Sequence, residues 1–349
     1  MANNLKGIKR LLNAQKGKND EFYTCYKTIE EEMPYYKELF NEKIIYCNCD
    51  DWEKSNFVKY FVEHFKEFNL KGLYATSFSG NINYDLFAAS DSHANNGKYF
   101  YYDGVSKKNG FLKGNGDFRS PECVNILDKS DIIITNPPFS LSKYYVPLMF
   151  RHHKQFIILG NLLSIIVKDY LPFLVSGQLK CGNTLHCGGT QFEISEEYMD
   201  KIKYPNAFRS ENGKLMINVP NICWFTNVAD KFIENEECIF ANKKISEYER
   251  IENFGNIINV NSSNDIPDNY FEPMAVPITF FRTKKFNPRQ FKFIGLTTRS
   301  SSLRTMKYTA EDSDNFQNLN VSGVIHNKNS KEEFKIVFTR MVIQRKDDQ

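Results

Sequence analysis

The run Asp131-Ile132-Ile133-Ile134-Thr135 passes directly into Asn136-Pro137-Pro138-Phe139, and this junction constrains the fold more than any other stretch of the chain. Consecutive branched apolar residues with no polar alternation indicate a strand buried on both faces, the kind found in parallel sheets covered by helices. The two prolines end it, because each lacks a backbone N–H and pushes the preceding residue toward extended geometry. Ser140–Phe150 then has helical spacing. A strand, a stiff turn and a helix form the unit of a doubly wound α/β sheet, whose ligands sit beyond the carboxyl ends of the strands.

The same alternation recurs. Ile44–Cys49 has the pattern of a buried strand, and Ser55 then caps a helix with Phe57, Val58, Phe61, Val62 and Phe65 at helical spacing. Leu70–Phe78, Tyr99–Asp103, Phe156–Leu159 and Asn221–Thr226 are further strand candidates, and Cys123–Leu127 suggests a short helix. Beyond residue 177 the regularity fades: 234–271 is polar and Asn-rich, while Met274–Phe281, Phe291–Leu296 and Phe334–Arg345 are β-like. A basic arm over 1–19, a catalytic domain over 20–230 and a smaller region over 231–349 are expected.

The turn at 136–139 suits chemistry on an amino group conjugated with a ring, a poor nucleophile. Asn136 can offer its side-chain oxygen and Pro137 its carbonyl, two acceptors that would polarise such an amino group. Pro137 and Pro138 hold those acceptors in place, and Phe139 offers a stacking face. Base–aromatic stacking is worth about 1–3 kcal/mol, and a duplex base must be flipped out to reach it. Adenine N6 is the leading acceptor; cytosine N4, an RNA base or a protein glutamine are the alternatives, with Phe139 favouring adenine in DNA. A silent DNA-binding protein on the same scaffold is the non-enzymatic reading, and the intact motif speaks against it.

Three strings could hold a cofactor. Asn48, Cys49, Asp50 and Asp51 end the first strand, where carboxylates commonly meet a ribose or an ammonium group. The lack of Gly-x-Gly there, and of a Walker-type Gly-Lys-Ser/Thr, disfavours a phosphate-bearing cofactor and fits S-adenosylmethionine. In Gly114–Ser120, Asp117 could accept from an adenine amino group and Phe118 could stack; a β-turn whose Asp caps the next helix is the equal alternative. Phe22, Tyr23 and Thr24 could close over a small molecule, or form an N-terminal strand packed on the core. The end of the second strand, Ala75–Phe78, carries no carboxylate, so no ribose ligand is identified. No metal is expected: Cys181, His186 and Cys187 lack a fourth ligand at regular spacing. Free thiols, no export signal and no apolar run near the ~18 residues of a membrane span point to a reducing cytoplasm.

The net charge of +3 hides a local patch. From Arg282 to Ala310 there are eight basic residues and no acid, balanced by acidic stretches such as Glu30–Glu32 and Glu234–Glu237. Within the tract, Arg299, Arg304 and Lys307 are candidates for contacts to double-stranded DNA; a solvated basic face is the alternative.

Taken together, the chain resembles the EcoRI-type adenine-N6 DNA methyltransferases. The matching strings are Asp20–Thr24, Tyr46–Asp51 with Ser55–Phe57, Gly116–Ser120, Asp131–Ser140, Ile158–Asn161, Trp224–Asn227, Val276–Phe280, and Asn287-Pro288 with Gln290-Phe291. That resemblance implies a Rossmann-like, S-adenosylmethionine-dependent sheet with helices on both faces and a smaller mixed C-terminal DNA-recognition region. It implies that Phe22, Tyr23 and Thr24 match the N-terminal cofactor motif, Asp50 and Asp51 the first-strand motif, Asp117-Phe118 the adenine-side motif, and Asn136–Phe139 the catalytic motif. A cognate restriction endonuclease acting on the same site is a possible partner. The missing Gly-x-Gly departs from most amino-methyltransferases and leaves the contacts within 48–56 open by about two positions.

Overall fold

The computed structural model of the protein describes residues 23–79, 96–184, 189–194, 207–210, 212–326 and 333–346. The arm over 1–19, Phe22, His186 and Cys187 lie outside the described residues. The chain divides into two compact units, one running to Asn161 and resuming over Gly182–Phe232, the other taking Leu162–Cys181 and the chain from Ile233 onward.

The first unit begins with β1 (Tyr23–Thr24), β2 (Ile44–Cys47), β3 (Gly72–Thr76), β4 (Lys98–Tyr102), β5 (Lys107–Phe111), β6 (Ile132–Thr135) and β7 (Gln155–Asn161). After β8 (Lys180–Cys181), which belongs to the second unit, come β9 (Thr190–Glu193), β10 (Ala207–Arg209), β11 (Leu215–Val219) and β12 (Ile222–Thr226). Its main sheet runs β5-β4-β3-β2-β6-β7-β12. The strands β3, β2, β6 and β7 are parallel, and β4, β5 and β12 are added antiparallel. Residues without polar alternation fill this centre as their pattern predicts: Ile132, Ile133, Ile134, Phe156, Ile157 and Leu159 are buried completely. Winding proceeds outward from β2 to β3 and then reverses to β6, so the carboxyl ends of β2 and β6 flank the switch point.

The expected strands of this sheet are present, trimmed by local chemistry. The strand expected over Leu70–Phe78 starts at Gly72, since Asn69 is left-handed (φ 48) and Leu70 N–H donates back to the Phe65 carbonyl at 3.0 Å. A second sheet, β1-β9-β11-β10, is antiparallel throughout and had no clear signal in the sequence. Trp224 on β12 is buried edge-on against Phe57, with ring centroids 6.1 Å apart. One residue beyond β12, the Asn227 amide accepts from Phe156 N–H at 2.9 Å and donates to the Lys154 carbonyl at 2.8 Å, tying the strand end to β7.

In the second unit, β13 (Arg250–Ile251), β14 (Ile257–Asn259), β15 (Met274–Pro277), β16 (Phe291–Leu296) and β19 (Arg340–Arg345) form a sheet in the order β13-β14-β15-β19-β16. The pair β17 (Val324–His326) and β18 (Phe334–Ile336) forms a hairpin, and the short helix Leu171–Val175 packs on β16. Two expectations are corrected. The β pattern over Met274–Phe281 ends at Pro277, which cannot extend the ladder and opens a 3-10 turn over Ile278–Arg282. The terminal pattern Phe334–Arg345 is two strands in different sheets. Ile251, Phe254, Ala275, Ile325 and Val337 form one core of this unit. Among the described residues, no helix is long and apolar enough to cross a membrane.

Candidate active site

Local sequence explains how three neighbouring strand ends meet. Ser55 caps the helix Asn56–Glu63, its Oγ accepting from Phe57 N–H at 3.1 Å and Val58 N–H at 3.4 Å. The same hydroxyl donates to Asp50 Oδ1 at 2.7 Å. Asp50 Oδ2 accepts from Thr135 Oγ1 at 2.5 Å, and Asp50 N–H donates to the Thr76 carbonyl at 2.9 Å. Asn48, also buried, accepts at Oδ1 from the Tyr145 hydroxyl and at its carbonyl from Thr76 Oγ1 at 3.4 Å. These polar groups are buried and paired, which is how a low-dielectric interior tolerates them.

Burial pushes the Asp50 carboxyl up to about 6, and Asp51 adds to the rise, against the Thr135 and Ser55 hydrogen bonds that favour the charged form. Its folded value lies above the unfolded one, so its contribution to stability is full below about pH 4 and is lost as pH rises through about 6. The expected size is about 3 kcal/mol, from roughly two pH units at 1.36 kcal/mol each. Urea unfolding from pH 4 to 7 should show wild type losing stability relative to Asp50→Asn; a difference that stays flat refutes the assignment.

The turn after β6 has Asn136 half-buried, Pro137 buried, and Pro138 and Phe139 half-buried. Phe139 opens a short 3-10 turn leading into the helix Ser142–Arg151, and Leu141 N–H closes on the Pro138 carbonyl at 2.9 Å. The Phe139 ring meets Phe192 of β9 edge-on, centroids 6.3 Å apart. Phe192 is the register partner of Thr24 on β1. Asn56 Nδ2 in turn donates to the Thr24 carbonyl at 2.8 Å, and Lys54 stands over the Tyr23 ring at 5.9 Å. Tyr23-Thr24, the loop after β2 and the turn at 136–139 are thereby brought together. Among the described residues the Thr24 hydroxyl is buried with no hydrogen-bond partner, a donor and acceptor left open beside that loop. Thr24 does form a strand on the core, so the two readings of that string are compatible in one residue.

Other candidates are turned differently. Asp51 is ion-paired with Lys98 at 3.0 Å, and Lys98 also pairs with Glu53. Arg119 holds the Asp117 carboxyl below its ordinary range through Nε at 2.9 Å and Nη2 at 2.6 Å. Ser120, not Asp117, caps the helix Pro121–Lys129. Phe118 is 4% exposed, packs on Tyr145 at 5.0 Å and lies under the Arg119 guanidinium at 5.4 Å, so little of its ring is open. Gly116 has φ 80, and a Cβ there would stand 2.1 Å from the Ser77 carbonyl oxygen; only glycine lets this loop approach the end of β3. Among the described residues, no group of three or more His, Cys, Asp or Glu is placed to hold a metal ion.

In the second unit, Arg289, Lys292, Arg299 and Lys307 are exposed. Arg304 is half-buried, its guanidinium 4.8 Å from the Phe254 ring centroid and its Nη2 donating to the Asn320 carbonyl at 3.0 Å. Lys284 is paired with Glu234 at 2.5 Å, so part of the basic tract is internal structure.

The profile of the adenine-specific methyltransferase EcoRI family matches residues 10–346. The chain belongs to that family. Similar proteins include the type II methyltransferase M.EcoRI of Escherichia coli, 38% identical over 298 residues, covering 82% of this chain and 88% of the relative. M.MgeORF184P of Mycoplasma genitalium is 31% identical over 325 residues, 92% of this chain and 95% of the relative. M.MpnI of Mycoplasma pneumoniae is 33% identical over 308 residues, 85% and 89% respectively. No solved structure matches the chain. As a member of the EcoRI family the protein is an adenine-specific methyltransferase. Four residues of this EcoRI-family member that carry no site assignment from the sequence border the turn or the loop after β2: Thr135 and Phe192 at the turn, Tyr145 and Lys98 at the loop. Thr135 could have been found as the one hydroxyl ending an otherwise aliphatic strand; Phe192 left no signal, being brought in by a sheet of weak sequence pattern.

Proposed function

We propose that the chain is a site-specific DNA methyltransferase, transferring a methyl group from S-adenosylmethionine to N6 of an adenine flipped out of double-stranded DNA. The observation that carries this reading is the exit of Asn136–Phe139 from the carboxyl end of β6, at the switch point beside the loop after β2. When bound, S-adenosylmethionine supplies an electrophilic methyl group whose departure leaves a neutral thioether. Its fit is supported by the open Thr24 hydroxyl and by a loop with no phosphate-binding glycines. Tyr23 and Thr24, Asn48 and Asp51 of the loop after β2 and, from the adenine side, Asp117 with Phe118 would hold it, with Asp50 turned inward to Ser55 and Thr135.

Asn136 Oδ1 and the Pro137 carbonyl would accept from the two amino hydrogens of adenine, which directs the nitrogen lone pair at the methyl carbon. Pro138 keeps the second acceptor fixed, and Phe139, backed by Phe192, offers a face to the extruded base. Catalysis of this kind is positioning plus electrostatics, with no covalent enzyme adduct. We assign DNA recognition to the region 231–349, with exposed Arg299 and Lys307 on phosphates or base edges and Arg304 shaping the surface around them. The reducing cytoplasm is the proposed compartment, and a nuclease reading the same site the proposed companion.

Modification-sensitive sequencing of plasmid DNA from cells expressing the chain should return N6-methyladenine at one short motif. Methylcytosine, or unmodified DNA from cells in which the protein is folded and abundant, would overturn the reading.

A further inference from the structure

One carboxylate links the catalytic turn after β6 to the loop after β2. Both Asp50 oxygens are engaged inside the fold, Oδ1 by Ser55 at 2.7 Å and Oδ2 by Thr135 at 2.5 Å, and its N–H by the Thr76 carbonyl at 2.9 Å. Thr135 is the residue before Asn136. Ser55 starts the helix whose first residue, Asn56, holds the Thr24 backbone. Thr76 ends β3, from which Ser77 contacts the Gly116 loop. Asp50 therefore ties the loop after β2 to the ends of β3 and β6, through its N–H and its carboxylate, and to the cap of the helix Asn56–Glu63, and it is only 8% exposed.

We infer that Asp50 is a positioning residue that fixes the catalytic turn relative to the cofactor loop and contacts neither methyl donor nor adenine. The inference rests on the assignment of Asn136–Phe139 as the catalytic turn. Its physical basis is the end of the ladder. Pro137 and Pro138 have no N–H to pair, so the backbone beyond Thr135 draws little support from neighbouring strands. A hydroxyl donating to a carboxylate makes a short, strong bond and holds the branched Thr135 side chain in one rotamer. With Asp50 neutralised or Thr135 lacking its hydroxyl, Asn136 starts from a looser frame, and misplacement by an ångström can cost about a hundredfold in rate.

The test uses the full chain with S-adenosylmethionine and a duplex carrying its methylation motif. Thr135→Val keeps the branched shape and removes the hydroxyl; Asp50→Asn keeps the shape and one acceptor; Thr135→Ser restores the hydroxyl. Thr135→Val and Asp50→Asn should each lower kcat about tenfold or more while calorimetric affinity for S-adenosylmethionine stays within about threefold. The double variant should be no slower than the worse single, since both delete one bond, and Thr135→Ser should recover most of the rate. A tenfold loss of cofactor affinity confined to Asp50→Asn makes Asp50 a cofactor contact and overturns the inference. Additive losses, or Thr135→Val as fast as Thr135→Ser, overturn it equally; the latter pair decides the matter if Asp50→Asn does not fold. Full turnover by Asn136→Ala would instead strike the underlying assignment of the turn.

Discussion

Asn136→Ala is expected to lower kcat for methyl transfer by roughly 10²–10³-fold, the usual cost of removing one preorganised polar group from a reacting centre. The side chain leaves the carboxyl end of β6 between a buried threonine and two prolines. Affinity for S-adenosylmethionine should therefore stay within about threefold, because the residues assigned to the cofactor belong to other elements. Tritiated methyl incorporation beside calorimetric titration separates the two quantities. Turnover within tenfold of wild type would remove Asn136 from the mechanism, whatever happens to binding.

The second large effect concerns stability. Glu32→Ala is expected to destabilise the fold by about 3 kcal/mol or more, because three donors lose their acceptor in a dry interior. Glu32 is fully buried and accepts from the Tyr36 hydroxyl at 2.5 Å and from the consecutive N–H groups of Asn183 at 2.8 Å and Thr184 at 2.6 Å. Burial raises its carboxyl pKa, while those hydrogen bonds act in the opposite direction. Glu31→Ala, at an exposed neighbour, should change stability by no more than about 0.5 kcal/mol. Urea unfolding of both variants gives the comparison, and equal midpoints would refute this role for Glu32.

Glu32 also marks the limit of what the sequence discloses. Glu30–Glu32 has the composition of a solvated acidic stretch, and two of its members are exposed. The helix Tyr26–Glu32 nevertheless buries Thr28, Ile29 and Glu32, three and four residues apart, so the third glutamate falls on the inner face. Periodicity places that side chain inside but does not name the distant N–H groups that stabilise it there. The main sheet was legible because buried parallel strands leave unbroken aliphatic runs such as Ile132–Ile134. The sheet β1-β9-β11-β10 was not, because its strands are short and its pairings join residues far apart in the chain. At the site, the turn at 136–139 was legible from residue type alone. Asp50 was legible as a carboxylate at a strand end, but which way it points is decided by Ser55 and Thr135, and no spacing rule couples residues 85 apart.

The strand order of the second unit has a consequence for how the protein is made. Among the described residues β19 is the last strand in chain order, yet it lies in the interior of its sheet, between β15 and β16. Loss of β19 would remove a central strand and leave two facing edges with unpaired N–H and C=O groups, a template for association with other chains. This sheet can close only once β19 has been synthesised, well after β15 and β16. Until then, β15 and β16 wait as open edges on the nascent chain.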